Sequence, residues 1–330
     1  MNVSINYGGY ESYPASYVCN NKYGDCKALT TYMKALLEYS NIKSNYVLIN
    51  SGNRPKLKSE LPSSQFNHVI LGVNLGDKKL FLENTSKNSP FNYIGTSIQN
   101  KKALWIEEHK SKIIEMPKMS IQDVLNKVDF SFRLDDNDNF LYQMNKTLRS
   151  KEFEKYSYLN LKSDREKLEN EIFNSIPLKN HTLDDWSIDD KNYEGKFIKI
   201  QAEGSLNKSI KKIGNITAIK PPVIELKKFK SPINRKNIIR FNRPINYELI
   251  SKYDLSNFDY SSIKKINEFN LVNNFGNYSF KVDELGNSLV FKEKLTIFKG
   301  DYSIEDYKTF YDFIQSIKNN QKNISLILKK

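Results

Sequence analysis

The chain has 330 residues, 51 of them Lys or Arg and 38 Asp or Glu, for a net charge of +13, and it holds only two Cys and three His. With 39 % apolar residues it can bury a core, which excludes gross disorder as well as collagen-like and disulfide-stapled architectures. The excess charge is Lys-rich, with 44 Lys to 7 Arg and 39 Asn alongside, as drift toward AT-rich codons gives, and it is spread along the chain. No Arg-rich or aromatic stripe of a specific nucleic-acid binder stands out, so no specific nucleic-acid partner is expected.

Five residues could supply soft metal ligands: Cys19, Cys26, His68, His109 and His181. No two form a CxxC or HxxxH pair, which makes a zinc site improbable, and no cofactor is expected. A thiol–imidazole pair needs only one of each. No apolar run reaches the ~18 residues of a membrane helix, so no transmembrane segment is expected. The first residues, Met1 to Asn6, lack the basic and apolar regions of a signal peptide.

Residues 1–25, rich in Tyr, Gly, Asn and Pro, read as an irregular lead-in. From Cys26 the pattern turns helical, with Leu29, Tyr32, Met33, Leu36 and Leu37 on one face as far as about Tyr39. Gly24 and Asp25 precede this helix as turn residue and N-cap candidate. Three strands are expected at Tyr46–Asn50, Phe66–Asn74 and Lys79–Thr85, the last two divided by the hairpin signal Leu75-Gly76-Asp77. A helix followed by an antiparallel meander indicates an α+β domain closing near Pro117.

Past residue 118 the texture becomes mostly β. Strands at Asp129–Leu134 and Phe140–Asn145 flank an acidic run, 135–139, which lacks the glycine and closing Glu of an EF-hand and reads as a hairpin tip. Residues 149–174 form one charged helical segment, and strands alternate with turns from Phe197 to Phe298. A late amphipathic helix, Ile304–Ile317, carries Tyr307, Phe310, Tyr311 and Ile314 at helical spacing as a core stripe, and a strand at Ser325–Leu328 ends the chain. The expected domains are 1–117, a β-rich middle region 118–234 and a C-terminal β domain 235–330.

Chemistry concentrates in Tyr23-Gly24-Asp25-Cys26-Lys27, Phe66-Asn67-His68-Val69 and Leu82-Glu83-Asn84-Thr85. Cys26 opens a helix, whose unpaired N–H groups and dipole favour a thiolate and could stabilise an oxyanion. His68 opens a strand that can hold an imidazole against the sulfur, and Glu83, on the next strand, can orient it. Asn84 could orient His68 instead; successive strand residues face opposite ways, so only one of the two can.

The order Cys, His, acid on a helix and two strands, with the wording Lys22-Tyr23-Gly24-Asp25-Cys26 and Phe66-Asn67-His68-Val69-Ile70, resembles the transglutaminase-like branch of the papain-like thiol superfamily. It is closest to the branch in large bacterial exported proteins of unknown function with flanking β-rich domains. The likeness covers about residues 8–117, extends to 235–330 and is thin between. It implies a papain-like core, a catalytic triad of Cys26, His68 and Glu83, supporting roles for Gly24, Asp25, Asn67 and Asn84, and no metal. It also implies a protein or peptide substrate, acyl transfer to water or to an amine, and export to the cell envelope.

Three departures stand out. Glu83 replaces the usual Asp, Ala28 replaces an Asp common two places after the cysteine, and the β domain that usually precedes this one is absent here. They leave a second reading open, a non-catalytic binding module at the cell envelope.

Overall fold

The computed structural model describes the chain apart from residues 1–10, 53–56, 59, 61–62, 87–88, 136–138, 191–194, 207–210, 215, 234, 257, 259–265 and 330. The fold is α+β with sheet predominating. Two compact units divide it, one reaching Met119 and the other beginning at Ser120.

The first unit starts with α1 (Ala15–Asn21), where an irregular lead-in was expected. Pro14 supplies an extended N-cap, and Lys22 stops the helix at φ 61°, its N–H bonded to the Val18 carbonyl. Only Val18 is buried, so this short helix has no apolar period to betray it. The expected lead-in residues 1–10 lie outside the described residues. α2 (Cys26–Tyr39) follows, with the Asp25 side chain accepting from the Ala28 N–H at 2.9 Å as its cap. Its wholly buried positions are Ala28 and Thr30, whereas Leu36, within the expected apolar stripe, is exposed. The helix therefore seats most deeply through small residues, with Leu29, Tyr32, Met33 and Leu37 of the expected stripe half-buried.

Five strands complete this unit: β1 (Ser44–Ile49), β2 (His68–Leu75), β3 (Lys78–Leu82), β4 (Lys102–Trp105) and β5 (Lys112–Glu115). They form an antiparallel sheet in the order β3-β2-β1-β4-β5. Gly76, at φ 57°, makes the tight β2–β3 turn that a side chain would strain. Val47, Ile49, Ile70, Phe81, Ala103, Trp105 and Ile114 pack as one core. Gly72 is required inside β2 because a Cβ there would stand 2.2 Å from the Trp105 ring.

The second unit opens with a 3-10 turn at Gln122–Val124, then β6 (Leu125–Leu134), β7 (Phe140–Arg149), α3 (Ser150–Lys162), α4 (Arg165–Asn174), β8 (Asp185–Asp189) and β9 (Phe197–Leu206). It continues through β10 (Lys211–Ile213), β11 (Ile216–Ile219), β12 (Ile239–Phe241), β13 (Ile245–Asp254), β14 (Phe269–Asn273), β15 (Gly276–Leu285) and β16 (Ser288–Ile297). β17 (Gly300–Tyr302), α5 (Tyr307–Asn323) and β18 (Leu326–Lys329) end it. The single helical segment expected over 149–174 is two helices, because Ser163 is extended and Asp164 caps a new start by accepting from the Lys167 N–H. At the β6–β7 hairpin, Asp135 and Asn139 close the tip on each other by side-chain and backbone bonds; residues 136–138 of the acidic run lie outside the described residues.

Eight strands share one sheet in the order β14-β15-β16-β13-β6-β7-β9-β8. Its neighbours are antiparallel except β13 and β6, which pair in parallel from Asn246↔Leu125 to Tyr253↔Phe132. That pair joins strands from both sides of the expected boundary at 234, itself outside the described residues, so the expected middle and C-terminal domains form one compact unit. Tyr307, Phe310, Phe313, Ile314 and Ile317 of α5 enter the same core as Phe130, Tyr142, Tyr253 and Tyr278. Glu293 ties this core together, accepting from Ile224 N–H at 2.7 Å, Tyr278 OH at 2.8 Å and Gln321 Nε2 at 2.7 Å. Burial pushes its carboxyl above the ordinary range, and these donors oppose that shift. No helix among the described residues is long and apolar enough to cross a membrane.

Candidate active site

Local structure fixes the start of α2. The Asp25 carboxylate takes the Ala28 N–H, and its carbonyl takes the Leu29 N–H at 3.0 Å. Gly24 admits no side chain, since a Cβ would meet the Ala28 Cβ at 2.9 Å and Val18 at 3.1 Å. Gly24 thus lets α1 close onto the helix that presents Cys26. The same contact accounts for Ala28, which is wholly buried against Gly24 where a longer side chain would clash. Cys26 itself is half-buried, and Cys19 on α1 is exposed.

His68 is the first residue of β2, opposite Ile49 of β1. Its Nε2 lies 2.8 Å from Glu83 Oε2, both side chains being largely buried, and the Cys26 side chain is its other polar neighbour. With Nε2 engaged by the carboxylate, Nδ1 is the nitrogen left for the sulfur. Glu83 stands just past the end of β3 rather than on it. Its second oxygen accepts from the Thr85 N–H at 3.1 Å and the Thr85 hydroxyl at 2.5 Å, which fixes the carboxylate plane.

Burial favours a neutral His68, but the adjoining Cys26 side chain and the bond to Glu83 with its negative charge outweigh it, raising its pKa to about 9. Burial likewise pushes Glu83 up, and the bond to His68, its charge and the Thr85 donors pull it below the ordinary carboxylate range. The two residues form an ion pair across neutral pH.

Asn84 does not face His68. Its Nδ2 donates to the Thr30 hydroxyl at 3.2 Å, on the α2 side of the sheet. Both residues lie past the end of β3, where the chain enters a turn, and there Glu83 goes to the ring and Asn84 to the helix. Asn67 is turned away as well, its amide bonded to the backbone of Ser51, where it extends the β1–β2 ladder. Cys26, His68 and Glu83 are therefore brought together, Gly24 and Asp25 position the helix start, and Asn67 and Asn84 touch other partners. Thr85 and Thr30 escaped the sequence reading. The Glu-Asn-Thr wording carried a signal for Thr85, while a lone Thr in a helix carried none for Thr30.

Beside the helix start, Tyr13 and Tyr17 stack at 4.4 Å and Tyr17 meets Tyr23 edge-on at 5.9 Å. The Tyr17 hydroxyl is raised to about 12 by its bond to Tyr23. Cavities of about 310 Å³ and 620 Å³ open in the second unit and take no residue from the Cys26 cluster. Among the described residues no group of three or more His, Cys, Asp or Glu is placed to hold a metal ion.

Residues 197–327 match a family described as a domain of unknown function with a solved structure (DUF3858), which covers β9 through the first half of β18. The whole chain superposes on a crystal structure of a "putative protease" from Parabacteroides distasonis, with a TM-score of 0.54 and 12 % sequence identity. It spans 48 % of that protein's length. At this identity the likeness shows a shared fold. No curated protein matches the chain.

Proposed function

We propose that the first unit is a papain-like thiol site of the transglutaminase-like kind, catalysing acyl transfer from an amide or ester of a protein or peptide. The observation that carries the reading is the Glu83–His68 ion pair with the Cys26 side chain beside the same ring. The similarity to the Parabacteroides distasonis structure lends it support at the level of fold.

An imidazolium beside the sulfur stabilises negative charge on it, so the nucleophile is a sulfur anion and His68 starts the cycle as an acid. The sulfur attacks the carbonyl carbon, and the carbonyl oxygen takes the electron pair. The backbone N–H of Cys26, at the positive end of α2, would donate to that oxyanion. As the tetrahedral species collapses, the bond to the leaving amine breaks, the His68 Nδ1 proton passes to that amine, and a thioester remains. Water or an amine then attacks the thioester and gives its proton to His68, and the sulfur leaves as the anion. Glu83 keeps the ring oriented throughout and stabilises it whenever it carries the proton. No metal is called for in any of these steps.

The exposed Cys19 serves as an internal reference for a test. With iodoacetamide, Cys26 is expected to alkylate faster than Cys19 below pH 7, where an ordinary thiol is almost wholly protonated. Equal rates for the two cysteines below pH 7 would remove the reading.

A further inference from the structure

Thr30 occupies a position that ordinarily suits an apolar residue. It is wholly buried on the face of α2 that meets the sheet, and Thr is a mediocre helix former. A threonine inside a helix usually returns its hydroxyl to the carbonyl one turn back, here that of Cys26. The Thr30 hydroxyl instead reaches out of the helix, donating to the Val69 carbonyl at 3.4 Å and accepting from Asn84 Nδ2 at 3.2 Å. Both contacts are long, hence individually weak, but the first is buried and the second partly so, and out of water an unmade bond costs more than a made one gains.

The partners sit in a telling arrangement. Thr30 is one helical turn beyond Cys26, Val69 directly follows His68, and Asn84 directly follows Glu83. β2 and β3 pair as far as Leu71↔Leu82, and continuing that register would set Asn84 opposite Val69. Where the backbone ladder stops, the Thr30 hydroxyl bridges the gap from the helix side.

We propose that Thr30 and Asn84 form a positioning brace, in which one hydroxyl ties the helix bearing Cys26, the strand bearing His68 and the turn bearing Glu83 into fixed register. The brace touches neither substrate nor sulfur and acts through the three residues that do. It rests on the acyl-transfer reading only for its purpose, because its bonds are independent of the chemistry. Asn84, a candidate to hold the imidazole directly, is thereby assigned to Thr30 instead.

The test compares Thr30→Val, which keeps the shape and removes the hydroxyl, with Thr30→Ser, which restores it, and with Asn84→Ala. Two quantities are read on the full chain: the Cys26-to-Cys19 alkylation ratio from pH 5 to 9, and the His68 titration midpoint by NMR. Thr30→Val and Asn84→Ala are expected to lower the ratio about tenfold and to lower the midpoint, with Thr30→Ser close to wild type. The double variant should be no worse than either single one, since one bridge is broken in each. Wild-type ratio and midpoint in a folded Thr30→Val would overturn the brace, and Asn84→Ala decides in its place if Thr30→Val does not fold. Should wild-type Cys26 react no faster than Cys19, the acyl-transfer reading fails. The His68 midpoint then decides the brace alone, lowered in its favour and unchanged against it.

Discussion

Replacing His68 by Ala should bring the alkylation rate of Cys26 at pH 6.5 down to that of Cys19, a loss of between about tenfold and a hundredfold. An ordinary thiol is about 1 % ionised at that pH, so a sulfur held as an anion by an adjacent imidazolium gains up to about a hundredfold in reactive form. Part of that gain is lost because a stabilised thiolate is a weaker nucleophile. No other side chain replaces the ring in this account, so the variant is left with the weaker pull of the start of α2. The measurement is quantitative mass spectrometry of both alkylated cysteines in one sample, which cancels reagent and temperature errors. A His68→Ala chain in which Cys26 still outruns Cys19 would place the activation elsewhere, in the start of α2 alone.

Glu83→Gln should change how stability depends on pH. His68 has its pKa raised to about 9, so its contribution is complete below the unfolded value of about 6.5 and is lost as pH rises through 9. Glu83 is lowered, so its contribution is present above the unfolded value of about 4.5 and is lost as pH falls through its folded value. The pair therefore stabilises most between about pH 4.5 and 6.5. The His68 shift corresponds to something on the order of 3 kcal/mol between that window and pH 10. Gln keeps the shape but leaves a buried imidazole facing an amide, so burial then draws the His68 midpoint down. Chemical denaturation from pH 5 to 10 should show the variant about 2–4 kcal/mol less stable near pH 6 and nearly equal to wild type at pH 10. Two curves running parallel across that range would mean that the ion pair contributes nothing.

Glu83, where the resemblance in the sequence led to an expected Asp, acquires a physical account. A carboxylate carried on the strand itself needs only a short side chain to meet His68. Glu83 lies one residue beyond the last paired position of β3, and its extra methylene, together with the Thr85 clamp, brings Oε2 to 2.8 Å from the ring.

The parts legible in the sequence were those with local signals. α2 announced itself through its cap and its period, and the β2–β3 hairpin through Gly76. Cys26 and His68 stood out because so few such residues exist. The choice between Glu83 and Asn84 was closed to sequence, because alternation says that they face opposite ways without saying which faces the ring. The buried face of α2 was hidden for another reason: Ala28 and Thr30 do the seating, and neither is marked by hydropathy. The join of the expected middle and C-terminal domains rests on the parallel pairing of β6 and β13, strands more than a hundred residues apart, for which no local pattern exists.

The central claim is that Cys26 takes up an acyl group, and a peptide aryl ester tests it most directly, the activated leaving group removing any demand for an optimal substrate. Intact-mass analysis within the first turnover, with and without a primary amine, is expected to show one acyl group on Cys26 of the wild-type chain. Water or the amine should then discharge it, and Cys26→Ala should carry none. Acylation spread over surface lysines, or equal in wild type and Cys26→Ala, would contradict the account.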